Sequence, residues 1–356
     1  MDRLMTMFPV LRRHNWENFA RRHWYGFKLF ARQNVKVDKN FFASDAAMRL
    51  TAGMLPKGVR ITCAGRSDGA GMQALAYMST INFAKAFGAV YVHSPFSLVD
   101  HAPGDMRQWA AAWEGQFNFG QGVQKLDHAS DIVVDYADYL SGKHKLCARS
   151  VLRFQQCWWL NRRYPDSFQA CLRTFGERFR HIDQASDSDR LVVAVHVRRG
   201  DVANDLNAAR FTPNTNIVAR IARLQRVLAA LKLDYVVDVY SQGDPDAFEA
   251  FSQLGCRLHL DADAVWTMRR LAKADVLVMA KSSFSYAAAL VSPGVKIYEP
   301  TFNPPLSDWI IARRDGWFDE ALLKRQLWRH PRGNPAIAIS SLFAPSLVDA
   351  PRETTA

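Results

Sequence analysis

The 356-residue chain has no run of about 18 consecutive apolar residues, the length a membrane-crossing helix needs, so no such helix is expected. It has no apolar stretch ahead of Arg12-Arg13, so a secretory leader is not expected either. Its five cysteines (Cys63, Cys147, Cys157, Cys171 and Cys256) are odd in number and include no Cys-x-x-Cys pair. That argues against a disulfide frame or a zinc site and predicts free thiols in a reducing, cytoplasmic compartment. No internal repeat or low-complexity tract breaks the chain. Acid is in short supply: 34 Asp and Glu face 46 Lys and Arg, a formal charge of +12. What the chain does have is 49% hydrophobic residues, enough for one large or two ordinary buried cores and too many for disorder.

An excess of cations implies an anionic partner: a nucleic acid, an anionic lipid surface or a phosphorylated small molecule. Residues 1–40 hold nine of the cations against three acids, half of the net charge, interleaved with Phe8, Trp16, Phe19, Trp24, Tyr25, Phe27 and Phe30. Such an arm either docks its aromatics on its own domain or lies at a membrane's inner face, where rings sit at headgroup level and cations meet anionic lipid. A nucleic-acid partner is not expected, because no helix-turn-helix, zinc-finger spacing or RNA-binding aromatic motif is present.

From Val59 the pattern becomes α/β. Residues 59–64 read as a strand, Gly65–Gly71 as a loop, 72–87 as a helix and 89–93 as a second strand. Residues 105–180 read as largely helical, and the polar stretch 181–190 as a linker. Leu191–Val197 is a continuous apolar run, as in a strand buried on both faces. Thr212-Pro213 reads as a capped helix start, followed by a stripe at Ile217, Ile221, Leu224, Leu228 and Leu231. Strands at 235–240, 256–260, 275–279 and 295–298 then alternate with helices at 245–254, 264–273 and 283–291. Alternation of this kind implies parallel sheets. Two such units predict two Rossmann-like domains facing a cleft: an arm at 1–58, a first domain at 59–185 with a helical insertion, a second at 186–300, and a helical tail at 301–356. Ligands of such sheets sit at the carboxyl ends of the strands.

Three motifs lie there. The first is His196-Val197-Arg198-Arg199-Gly200-Asp201. Paired guanidinium forks match the oxygens of a diphosphate, Gly200 permits a tight turn, and Asp201 can orient an arginine or take a proton. The second is Lys281-Ser282-Ser283-Phe284-Ser285, where hydroxyls and free N–H groups at a helix start make an anion site. The third is the loop Gly65-Arg66-Ser67-Asp68-Gly69-Ala70-Gly71-Met72-Gln73. It lacks the Gly-Lys-Ser/Thr ending of a P-loop, and the next strand ends His93-Ser94-Pro95, without the acid a dinucleotide site requires. Asp261-Ala262-Asp263 has the look of a metal-diphosphate motif. Asp263, however, stands where a helix cap is needed, and the arginines can neutralise a diphosphate without a metal.

Taken together, the Gly-rich loop, HVRRGD and the helix-opening SSFS after an Ala-Asp strand start resemble the GDP-fucose-dependent fucosyltransferase superfamily. That group spans the α1,2- and α1,6-fucosyltransferases, the nodulation fucosyltransferases and the protein O-fucosyltransferases. The resemblance covers about 191–300 and, more loosely, 59–100. It implies a GT-B fold and an inverting, metal-independent glycosyltransferase of glycan or polysaccharide biosynthesis, with no cofactor beyond the GDP-sugar donor. By the same resemblance Arg198 meets the donor diphosphate, with Arg199 supporting and His196 near the nucleotide. Ser282 and Ser283 meet phosphate, with Phe284 and Gly200 in the same motifs. Asp263 is the candidate reader of guanine, and Arg66, Gly71 and Gln73 reach the donor from the first domain. Asp201 or Asp205 is the candidate base. The acceptor expected is a glycan or lipid-linked glycan. The rival expectations are a transferase of another nucleotide sugar and a non-catalytic nucleotide- or glycan-binding protein.

Overall fold

Short aliphatic runs punctuated by glycine, proline and capping acids build two parallel sheets in tandem. The computed structural model describes residues 55–140, 142–154, 165–180, 190–202, 205–301, 303–330 and 332. The basic arm at 1–40 and nearly all of the expected linker at 181–190 lie outside the described residues.

The first unit runs β1 (Arg60–Cys63), α1 (Ala70–Phe87), β2 (Val90–Tyr91), α2 (Met106–Phe117), β3 (Ile132–Asp135), α3 (Tyr136–Leu140), β4 (Ser150–Phe154) and α4 (Pro165–Arg180). Its four strands are parallel in the order β2-β1-β4-β3. α1 stops where Gly88 turns left-handed at φ 64°. Asp105 opens α2 by accepting a hydrogen bond from the Gln108 amide at 2.8 Å. The helical expectation for 105–180 needs correction, since β3 and β4 fall inside it. Their aliphatic runs are too short to separate a buried strand from a helix turn by periodicity.

The second unit runs β5 (Leu191–His196), a 3₁₀ turn (Asp205–Arg210), α5 (Asn214–Ala230), β6 (Tyr235–Ser241), a second 3₁₀ turn (Pro245–Phe248) leading into α6 (Glu249–Gln253), β7 (Arg257–Leu260), α7 (Ala264–Lys273), β8 (Val276–Val278), α8 (Ser283–Val291), β9 (Val295–Tyr298), β10 (Ile310–Ile311) and α9 (Glu320–Trp328). All six strands are parallel, in the order β10-β9-β8-β5-β6-β7. Counted by order of appearance from the β7 edge, that is 3-2-1-4-5-6, the doubly wound arrangement whose order reverses between β5 and β8. β5 is central and its Leu191, Val193, Ala194 and Val195 are buried, which is why its sequence is apolar without alternation. The sheet also runs past residue 300, because β10 pairs with β9 and α9 packs beside it.

The two units meet through α8, which packs on α1 and α4. One apolar cluster runs through the junction, from Cys63, Met78 and Phe175 to Ala287, Leu290 and Trp309. Arg269 of α7 donates to Gln116 of α2 across it. Among the described residues no helix is long and apolar enough to cross a membrane.

Candidate functional site

The reversal of strand order opens a crevice at the carboxyl ends of β5 and β8, and two of the three sequence motifs begin there. Gly200 turns the chain with φ 75° directly after the two arginines. Arg198 then folds back: its Nε lies 3.1 Å from Asp201 Oδ1 and its Nη2 2.6 Å from Oδ2. Its third nitrogen, Nη1, points to Ser282 Oγ at 3.4 Å. Ser282 is the N-cap of α8, and its Oγ accepts a hydrogen bond from the Phe284 amide at 3.1 Å. The first turn of α8 holds no acid, so nothing in it offsets the positive helix end. A guanidinium and a helix N-terminus, from motifs 84 residues apart, therefore share one anion-facing corner.

Beneath this corner lies a small cavity of about 10 Å³ lined by His196, Arg198, Arg199, Arg210, Thr212, Arg220 and Glu299, with Ile217 and Val278–Ala280 closing its floor. Glu299 is fully buried and draws Arg220 to 3.1 Å and Lys281 to 2.9 Å. Thr212 Oγ1 donates to the same carboxylate at 3.0 Å. Burial pushes the Glu299 pKa up, but Arg220 and Lys281 outweigh it, and the group stays below the ordinary carboxylate value. Five cations (Arg198, Arg199, Arg210, Arg220 and Lys281) thus stand against two carboxylates, Asp201 and Glu299. Burial lowers the pKa of both Arg199 and Arg210, the mark of cations held partly out of water. A surplus of half-buried positive charge is what an anionic ligand relieves.

His196 is neutral here. Burial, and secondarily the neighbouring Arg198, bring its pKa down to about 3. Its Nδ1 is buried without a hydrogen-bond partner, as is Nε of Arg220. Two orphaned polar atoms in one lining are unusual in a folded interior. The His196 ring packs on Phe284 at 5.5 Å, and Phe284 meets Trp113 of the first unit edge-on at 6.1 Å.

Other residues singled out in the sequence have local work. Arg199 donates to the carbonyls of Arg198 (2.7 Å) and Thr212 (3.0 Å), to Asn214, and lies over the Phe211 ring, so it braces the 211–214 turn. Asp201 is held below its usual pKa, first by its hydrogen bond to Arg198. Asp205 opens the 3₁₀ turn, and its side chain lies outside the described residues. Asp263 caps α7 by accepting from the Trp266 amide at 2.7 Å, while Asp261 accepts from the Gly243 amide at 3.2 Å. Among the described residues no group of three or more His, Cys, Asp or Glu converges as metal ligands do. In the first unit Arg66 pairs with Asp68 inside its own loop. Buried Gln73 donates to the carbonyls of Asp68 and Leu98, both at 2.6 Å. Gly71 does bring the first unit to the site: a Cβ there would stand 2.6 Å from Ser283 O. Ser283 is the first residue of α8.

The sequence reading missed Arg210, Arg220 and Glu299. Arg220 had a signal, because it falls three residues after Ile217 on the buried stripe of α5. Glu299 follows the end of β9, where ligand-facing residues are expected. Thr212 is a correction. It does not cap α5, whose N-cap is Pro213 without a side-chain bond, because its hydroxyl goes to Glu299 instead. Also missed was an aromatic shelf at the ends of β6 and β7, where Tyr240 stacks on His259 at 4.8 Å and Trp266 closes on both.

No protein-family model matches the chain, and no curated protein does. Solved structures similar to it include NodZ α-1,6-fucosyltransferase co-crystallised with GDP, at 13% identity and TM-score 0.37, covering 73% of this chain and 97% of that one. A mutant of Arabidopsis thaliana FUT1 in complex with GDP is similar at 12% identity and TM-score 0.36, covering 77% and 76%. The E. coli heptosyltransferase WaaC with ADP is similar at 15% identity and TM-score 0.36, covering 80% and 99%. The fold rests on the sheet order itself.

Proposed function

We propose that this chain is a glycosyltransferase. It holds a nucleoside-diphosphate sugar, GDP-fucose by the sequence resemblance, between Arg198 and the start of α8. It passes the sugar to a hydroxyl of a glycan or lipid-linked glycan. The observation that carries the reading is the Arg198–Ser282 corner at the switch point of a 3-2-1-4-5-6 sheet, backed by more arginines than carboxylates in the adjoining lining.

In this reading the acceptor oxygen attacks the anomeric carbon as the bond from that carbon to the diphosphate oxygen breaks. The leaving diphosphate takes the electron pair, and the transfer is one inverting displacement. Arg198, the α8 N–H groups and the surrounding arginines stabilise the charge that grows on the leaving oxygens, so no metal is needed for that task. A diphosphate on Arg198 competes with Asp201, which frees that carboxylate to take the acceptor proton; Asp205 is the alternative base. The cavity of about 10 Å³ is far below the several hundred that a bound small molecule fills. Binding therefore opens the Arg198–Asp201 pair rather than the apolar junction between the units, whose separation would expose the shared core.

One specific observation favours a second donor. Asp263, Arg66 and Gln73, which the resemblance assigns to guanine and sugar, are all engaged locally. A thermal-shift panel of GDP, UDP, ADP and CMP, with and without EDTA, separates the readings. At a hundredfold excess over Kd, a ligand adds about 2.7 kcal/mol, a rise of roughly 4 °C for a chain of this size. The expected result is a rise with GDP alone, unchanged by EDTA. A rise with UDP or ADP instead moves the protein to another nucleotide sugar, and no rise with any nucleotide overturns the proposal.

A further inference from the structure

We propose that the outward face of α9 is a docking surface for an anionic lipid bilayer, separate from the donor site and independent of the function assigned to it. α9 packs inward through Leu323 and Leu327, both fully buried. On the opposite side Ala321, Lys324, Arg325 and Trp328 fall at i, i+3, i+4 and i+7, with Arg329 following, and all five are exposed. Trp328 is 65% exposed, more than any other large apolar residue among the described residues. Lys324, Arg325 and Arg329 meet no carboxylate among the described residues. The helix's one acid, Glu320, is drawn aside by Arg223 of α5 at 2.6 Å. In the turn leading into α9, Arg313 lies over the ring of Trp317, itself 42% exposed, and also pairs with Asp315 at 3.4 Å, so that turn adds an exposed indole but no net charge.

An indole that stands 65% in water wants an environment apolar on one side and polar on the other, which is the headgroup layer of a membrane. Lys324, Arg325 and Arg329 around it want negative charge, and juxtamembrane Lys and Arg respond to anionic lipid strongly enough to change binding several-fold each. A nucleic-acid strand is gripped in grooves that follow its backbone, whereas a helix flank is convex and meets a broad surface.

The test is co-sedimentation of the full chain with vesicles of 30% phosphatidylglycerol in phosphatidylcholine, and with pure phosphatidylcholine vesicles, at 0.1 M salt. The variants are Trp328→Ser and the triple change Lys324→Gln, Arg325→Gln, Arg329→Gln, with an unchanged melting temperature showing that both fold. The wild type is expected to sediment with the anionic vesicles and not the neutral ones. The triple variant should bind at least tenfold more weakly, and Trp328→Ser several-fold more weakly. Four results overturn the proposal. The wild type fails to bind, or binds both vesicles equally. The variants bind as the wild type does, which would place binding elsewhere, for instance in residues 1–40. The wild type dimerises in a way the same substitutions abolish, which would give the face to a second copy. A short DNA duplex binds more tightly than the vesicles and is lost with the same substitutions.

Discussion

Replacing Gly71 by alanine tests whether the first unit is fixed against the Arg198–Ser282 corner. The added Cβ would stand 2.6 Å from the Ser283 carbonyl oxygen and 2.7 Å from the Phe284 amide nitrogen, where ordinary contact begins at 3.4 Å. The obstacle is backbone on both counts, so no side chain can swing away, and α1 and α8 must part by most of an ångström. Overpacking of this kind costs about 1–3 kcal/mol. Alanine's better helix propensity and the stiffer unfolded chain return roughly 0.5–1 kcal/mol. The net loss is about 1–2 kcal/mol, or roughly 1–3 °C in Tm. The shift also moves Ser282 away from Arg198, so nucleotide affinity should fall several-fold. Gly69→Ala is the internal control: Gly69 is the N-cap of α1, two residues before Gly71, with its nearest neighbour, His101, at 3.8 Å. Calorimetry and nucleotide titration of both variants decide the matter. Gly71→Ala with the stability and affinity of Gly69→Ala would refute the claim that the helix starts touch.

Two further predictions concern the buried charges. Glu299→Gln leaves Arg220 and Lys281 buried without a counter-charge and should destabilise the protein by about 3–5 kcal/mol, read as a lower urea midpoint. An unchanged midpoint would mean that the cluster is solvated. His196 carries a folded pKa of about 3 against an ordinary 6.5, so below pH 6.5 the unfolded chain binds a proton that the native chain does not. The histidine's contribution therefore falls with pH, by up to about 1.4 kcal/mol per unit between 6.5 and 3. His196→Asn should flatten the acid limb of the stability profile across that window, and parallel profiles for the two proteins would contradict the burial argument.

What could be read in the sequence was local. The Leu191–Val195 run pointed to a central strand, because a strand covered on both faces is apolar without alternation. HVRRGD and SSFS announced their places at strand ends, since glycine and serine punctuate such turns. Asp263 announced a cap. What stayed hidden depends on long-range partners. The pairing of Arg220 with Glu299 joins α5 to the end of β9 across 79 residues, and no spacing rule reports it. Thr212 looked like a cap because local chemistry favours one, yet the stronger partner, a buried carboxylate, lies 87 residues away. Of the strands β3, β4 and β10, the longest has only five residues, too few for a period, and neighbours define them. At the site, sequence could name Arg198 and Ser282 but not that one hydrogen bond joins them. Nor could it show that Arg199 and Gln73 are committed to bracing turns.

The central claim, that Arg198 and the start of α8 hold a sugar-nucleotide diphosphate through the reaction, is tested most directly by sugar release and transfer. GDP-fucose would be given to the wild type and to Arg198→Ala, in EDTA. The account predicts measurable sugar release or transfer by the wild type and a loss on the order of 10²-fold or more in the variant, with the fold intact. Near-normal turnover by Arg198→Ala would contradict it.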